Sequence, residues 1–333
     1  MKNKKWIGAV VLTCLLFFGF AIQIYGTSNN PNITRQELQS PSTRANRASI
    51  TEKVLADTGN TGRFEPSEAT NIFTFIGNVL GNGGGNEVVV VIEFGPKNSI
   101  AAVYEPNGDQ YNYIGNLGDF FYIRSVDFLP LAEGKDVIIL REYANQDIGA
   151  FERSSFLRGY YWDGNQFQEV LKVPEGIEAT WNDLWDNKTQ NGLNRWNRIE
   201  QETDINYSNG QNPALSLTSY QAYRVTPETQ SKDHPRLEDF DTVANRVVSE
   251  SYYWSDDWKR FILSEMIQNS TGERVAVIED LGASPYALLS DYAPYINQVR
   301  ILKSDGTSEI VEKDTLSPIE DEQTATAFIR NCQ

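Results

Sequence analysis

The chain has 333 residues, a net charge of -16, two cysteines and one histidine. So acidic a surface repels nucleic acid and anionic lipid headgroups, and a lone histidine excludes His/Cys zinc chemistry. One of the cysteines, Cys14, falls in an apolar leader, so the remaining Cys332 has no partner for an internal disulfide. Stability must come from a hydrophobic core, which a chain of this length can bury.

Lys2, Lys4 and Lys5 precede an apolar run from Trp6 to about Tyr25, interrupted only by Thr13 and Gln23. Basic residues stay on the cytoplasmic side, so the sequence predicts export of everything that follows. Residues 1–26 are either a signal peptide cut near Gly26 or an uncleaved membrane anchor, and both readings stay open. The expected location is extracytoplasmic: secreted, or held at the outer face of the cytoplasmic membrane. Residues 27–67 are rich in Asn, Ser, Thr, Arg and Pro, and read as a flexible linker with a short helix around Glu52–Leu55.

From residue 68 the chain reads as all-β. The loop Ile76-Gly77-Asn78-Val79-Leu80-Gly81-Asn82-Gly83-Gly84-Gly85-Asn86-Glu87 runs straight into the aliphatic strand Val88–Ile92. This pattern resembles the FG-GAP/VCBS type of β-propeller repeat, in which an acidic, Gly-rich loop leads into an aliphatic strand. Asn78 and Asn82 stand where that family carries aspartates, and the loop is about one glycine longer. The resemblance implies a propeller-like array of antiparallel blades, a recognition role outside the cell, and a calcium loop at Asn78, Asn82, Asn86 and Glu87. With one carboxylate among four oxygen donors, that set would hold calcium only weakly, and no other cofactor is expected.

An aromatic hairpin with a polar turn recurs at 103–114, 160–171 and 252–263. Asn107-Gly108 and Asp163-Gly164 supply the positive φ angles of tight turns. Aliphatic strands precede the first two copies, at 87–92 and 136–140. The third is set apart by polar sequence from about Ser208 to Glu238. Uneven spacing argues against a uniform solenoid and suits blades with insertions, with an irregular β-sandwich as the alternative. The repeat region is placed at 68–270. Residues 271–333 hold a further strand at Glu273–Glu279 and a hairpin at 298–311, which closes the array or is appended to it. The tail from Asp314 reads as loose.

Catalytic signatures are lacking, and no catalytic residue is assigned. His234 lies in a polar loop and no nucleophile elbow accompanies it. Gly81–Gly85 precedes a strand, whereas a phosphate cradle opens a helix. Trp181, Trp185 and Trp196, with Asn182, lie in an Asn-rich stretch between strands. They are the aromatics best placed for exposure and for binding a sugar or extended peptide. The function expected is non-catalytic recognition of a cell-surface or extracellular polymer or protein. The rival is a carbohydrate-active hydrolase drawing on Asp183, Asp186, Asp256 and Asp257.

Overall fold

The computed structural model describes residues 32–81, 87–145, 151–186, 194–208, 213–228 and 233–319. The leader, Asn82 and Asn86 lie outside them. Among the described residues no helix is long and apolar enough to cross a membrane. The fold is predominantly β, in three open antiparallel sheets, and a propeller is not established by them.

The first sheet has the order β1-β5-β4-β3-β2, with β1 at Ile33–Thr34, β2 at Asn71–Gly77, β3 at Glu87–Glu93, β4 at Ser99–Asn107 and β5 at Gln110–Phe120. The run Val88–Ile92 is apolar at every position because both of its faces are covered. Val88, Val90 and Ile92 pack under two helices, α1 (Arg35–Gln39) and α2 (Arg44–Asp57), while Val89 and Val91 pack against the second sheet. The linker expected over 27–67 is therefore corrected for its folded part. Ile33 pairs with Tyr111, and Ile50, Val54 and Leu55 are buried on the first sheet. Those three helical residues share one face of α2, and so few apolar groups suffice because they all point inward.

Glu37 on α1 is held by Lys53 at 2.8 Å and by Ser49 and Thr34. Burial alone would raise its pKa, but these bonds prevail and hold it down at about 2.

The second sheet has eight strands in sequence order: β6 Tyr122–Pro130, β7 Asp136–Asn145, β8 Phe151–Trp162, β9 Phe167–Asn182, β10 Trp196–Ser208, β11 Ala214–Val225, β12 Asp241–Ser255 and β13 Arg260–Ile262. Its strand β7 repeats the logic of β3. Ile138 and Leu140 face the first sheet, and Val137 and Ile139 face a second core.

That second core forms because the sheet folds back on itself. Tyr161 on β8 and Trp254 on β12 are four strand spacings apart, about 19 Å in a flat sheet, yet their ring centroids are 5.2 Å apart. The cause is visible in the pairing. Strand β9 pairs with β8 from Phe167 to Thr180 but with β10 only from Gly176 to Asn182. Beyond Glu202, β10 leaves β9, so Leu215, Leu217, Tyr252 and Trp254 come to rest with Leu171 and Val173. The stretch expected as polar insertion at 208–238 thus contains the whole of β11. It reads as polar because only Leu215 and Leu217 of its inward row are apolar, and Ser219 and Gln221 continue that row as buried polar groups.

The third sheet, in the order β17-β16-β15-β14-β18, comprises β14 Ser264–Gln268, β15 Glu273–Asp280, β16 Gln298–Leu302, β17 Ser308–Glu312 and β18 Leu316–Pro318. Its hairpin β14–β15 crosses the boundary expected at 270/271. Strand β18, in the part of the tail expected to be loose, pairs with β14. A polar ladder fastens this sheet to the second one. Gln221 donates to Gln201 at 2.8 Å and to the Ala283 carbonyl at 2.7 Å, and Arg246 donates to the Gly282 and Ser284 carbonyls.

All four expected hairpins are present, as β4–β5, β8–β9, β12–β13 and β16–β17. Gly108 and Gly164 turn the first two with φ of +62° and +104°. Lys259 takes the corresponding strain in the third at +47°.

Candidate functional site

Twist accumulates by about 20–25° per strand, so a face crossed over six strands becomes a trough. Two cross-strand rows line such a trough of about 790 Å³. The first runs Tyr143–Ser155–Gly176–Glu202–Tyr220–Val247 from β7 to β12, each residue opposite the next. The second, two residues along, runs Arg153–Glu178–Glu200–Ala222–Asn245. The floor is made of small residues, Gly176, Ser155 and Ala222. A Cβ on Gly176 would stand 3.0 Å from the Ser155 hydroxyl, so even a methyl group crowds the floor. Tyr143 and Tyr220 stand on either side, with the Arg124 guanidinium 4.4 Å from the Tyr143 ring centroid and Tyr220 52 % exposed.

The central charges on this face are tied to one another. Arg198 pairs with Glu178 at 3.1 Å and with Glu200 at 2.6 Å, and Arg224 takes the other Glu200 oxygen at 2.8 Å. Directly opposed carboxylates are the spacing that retaining glycoside hydrolases use. Here Arg198 bridges the pair, and each Glu200 oxygen is held by a guanidinium.

The residues expected to bind ligand lie near this trough without forming it. Asn182 and Trp196 face each other on the same side of the sheet, about 13 Å beyond the Glu178–Glu200 row at the rise of a strand. They sit inside β9 and β10, so the insertion between strands is confined to 183–195. Trp196 is 4 % exposed, contrary to the exposure expected of it, and Asn182 is buried with its side-chain oxygen accepting from the Leu184 amide. Trp181 is half-buried and belongs to the alternate positions of β9, on the other face. Trp185 lies in a 3-10 turn at Asp183–Asp186, and its side chain is outside the described residues. His234 is exposed, as its loop context implied, and its ring packs edge-on against Phe151 and Trp196 at 4.4 and 5.3 Å.

The acid clusters of the hydrolase reading do not converge. Asp183 accepts from Arg195 and Asn197 at one end of the long strands. Asp256 accepts from the Trp254 indole and Asp257 pairs with Arg274 at the other. The twelve residues of β11 between those ends span roughly 40 Å.

At the expected calcium loop, Glu87 is buried and its carboxylate accepts from the amides of Val79, at 3.0 Å, and Leu80. The Asn78 side chain donates to the Gly134 carbonyl. The one charge of the set is therefore engaged in holding the loop to the strand. Among the described residues no group of three or more acidic, His or Cys side chains is placed to hold a metal.

The trough was missed in the sequence because it draws one or two residues from each of six strands, between positions 143 and 247. No local motif carries it. The available signal was the polar alternation along β10 and β11, which marks a face with no layer over it. No protein-family model matches the sequence, and no curated protein is significantly similar to it.

Proposed function

We propose that this is an extracytoplasmic, non-catalytic recognition protein that binds an extended cell-surface or extracellular polymer in the six-strand trough. The observation that carries the reading is the pair of cross-strand rows: a small floor between two tyrosines, open along its length, with Glu178 and Glu200 already paired to arginines. A catalytic carboxylate must be free to exchange a proton or attack, whereas Glu200 is fixed between two guanidiniums. An open, rigid trough of this size on a sheet face suits a chain-like ligand.

The leader supports the location, and the resemblance to FG-GAP/VCBS repeats supports the role. In this reading the four successive four-stranded meanders, β2–β5, β6–β9, β10–β13 and β14–β17, are the repeats of a degenerate propeller-like array, the second and third being joined through β9 and β10 into one sheet. Each joins its third and fourth strands by the recurring hairpin. Calcium, if taken up by the loop before β3, would bind weakly and brace that loop, at a distance from ligand recognition.

The test is co-sedimentation of purified full-length protein with isolated cell-wall polymer, with analysis of both pellet and supernatant. Protein in the pellet with no released sugar is the expected result. Soluble fragments in the supernatant would replace this reading with a hydrolase, and would make Glu178 and Glu200 the first residues to substitute.

A further inference from the structure

We propose that the ligand of the trough is an uncharged, hydroxyl-rich glycan, with the Tyr220 ring as its stacking platform. This deepens the polymer-binding reading and rests on it.

The argument starts from charge. The chain as a whole is strongly acidic, at -16. The trough face departs from that balance: Arg124, Arg153, Arg198 and Arg224 stand against Glu178, Glu200 and Glu202, so the two signs nearly cancel. The central charges neutralise each other at 2.6–3.1 Å. An anionic polymer would meet the three glutamates and the net field of the protein, and a cationic one would meet the arginines. At the centre of the trough neither gains a net attraction, because a ligand charge there must break an Arg198 or Arg224 ion pair to use its partner. A neutral hydroxyl loses nothing in this way. It can donate to a carboxylate or accept from a guanidinium while the Arg–Glu pairs stay in place, since each group has more hydrogen-bonding capacity than its partner uses.

The neighbouring surface has the same chemistry. Beyond the trough the same face of β10–β12 continues as the rows Asp204–Thr218–Ser249 and Asn206–Ser216–Ser251, most of them exposed and nearly all hydroxyl or amide. A sugar ring offers C–H groups on one side and hydroxyls at its rim. The exposed Tyr220 ring, with Val247 60 % exposed opposite it, provides the apolar contact that such a ring needs.

The test is affinity electrophoresis of the full-length protein in native gels containing either a neutral mixed-linkage glucan, a neutral galactomannan, or polygalacturonate as the charged comparison. The expected result is retardation by at least one neutral polymer, changing less than about twofold between low and high salt, because no net charge is neutralised. Tyr220→Ala should weaken retardation about tenfold, the loss of one aromatic contact. Tyr220 is half exposed, so this variant keeps the fold. Val247→Glu, which places a charge beside the ring on an exposed position, should weaken it as well.

Retardation by polygalacturonate alone, collapsing in salt, would overturn the neutral-glycan inference while leaving polymer binding intact. Retardation by a neutral glycan that neither variant alters would overturn the assignment to the trough. Failure with every glycan, while wall co-sedimentation persists, would overturn the neutral-glycan inference and point to another component of the wall polymer. Failure of both assays would remove the polymer-binding reading itself.

Discussion

Whether the eight-stranded sheet folds back can be decided by a double-substitution cycle on Tyr161 and Trp254. Each ring is almost fully buried, and Trp254 also touches Phe261 at 5.4 Å. Replacing each with Leu keeps apolar volume and removes the ring, which should cost about 1–3 kcal/mol per substitution. If the rings meet at 5.2 Å, the double variant should cost less than the sum, by the aromatic contact of about 0.5–1.5 kcal/mol. Tyr161 also donates to Glu133 at 2.7 Å. That bond is lost in both arms of the cycle that contain Tyr161→Leu, so it cancels in the coupling term. Urea midpoints for the wild type, both single variants and the double supply the four values. Additivity within about 0.3 kcal/mol would place the rings farther than 7–10 Å apart and refute the fold-back.

Other outcomes follow from the same structure. Ile50→Ala on α2 should destabilise the protein by about 2–5 kcal/mol, because the side chain is fully buried on the first sheet. A urea midpoint unchanged by this substitution would restore the flexible-linker reading of residues 27–67. Burial, with Asp280 adding like charge, pushes the Glu250 carboxyl up to about 7. Its folded pKa exceeds its unfolded one, so stability should fall as pH rises from about 4.5 to 7 and stay reduced above that. Glu250→Gln should therefore stabilise the protein at pH 8 by about 2–3 kcal/mol and leave it nearly unchanged at pH 4.5; equal effects at both pH values would contradict the burial argument. Adding millimolar calcium or a chelator should move Tm by less than about 2 °C, as a weak site near its dissociation constant contributes only ~0.4 kcal/mol. A shift several times larger would show a strong calcium site.

The parts of this fold that the sequence disclosed are those encoded locally. Val88–Ile92 and Val137–Leu140 are apolar at every position because each strand has a core on both faces, and such runs stand out in any composition. The hairpins at 103–114 and 160–171 announce themselves through glycines that the turns require. Of the helix carrying Ile50, Val54 and Leu55 only a short piece around Glu52–Leu55 was legible, because three large apolar side chains in fourteen residues give little amphipathic signal, yet all three point at one sheet. Strand β11 was hidden for a related reason, since its inward row continues as Ser219, partnered by Thr203, and Gln221, partnered by Gln201 and Arg246, all of them on other strands. The site illustrates the same limit. Local reading favoured tryptophans beside asparagines, whereas packing buried Trp196 beneath His234 and left Tyr220, with no aromatic neighbour in the chain but one, in the open.

The most direct test of the account is hydroxyl-radical footprinting of the full-length protein with and without isolated cell-wall polymer. The account predicts loss of modification at Tyr220, Val247 and Tyr143, with Phe73 and Ile76 on the first sheet unaffected. Protection confined to Trp181 or to the first sheet, with Tyr220 modified as before, would contradict it.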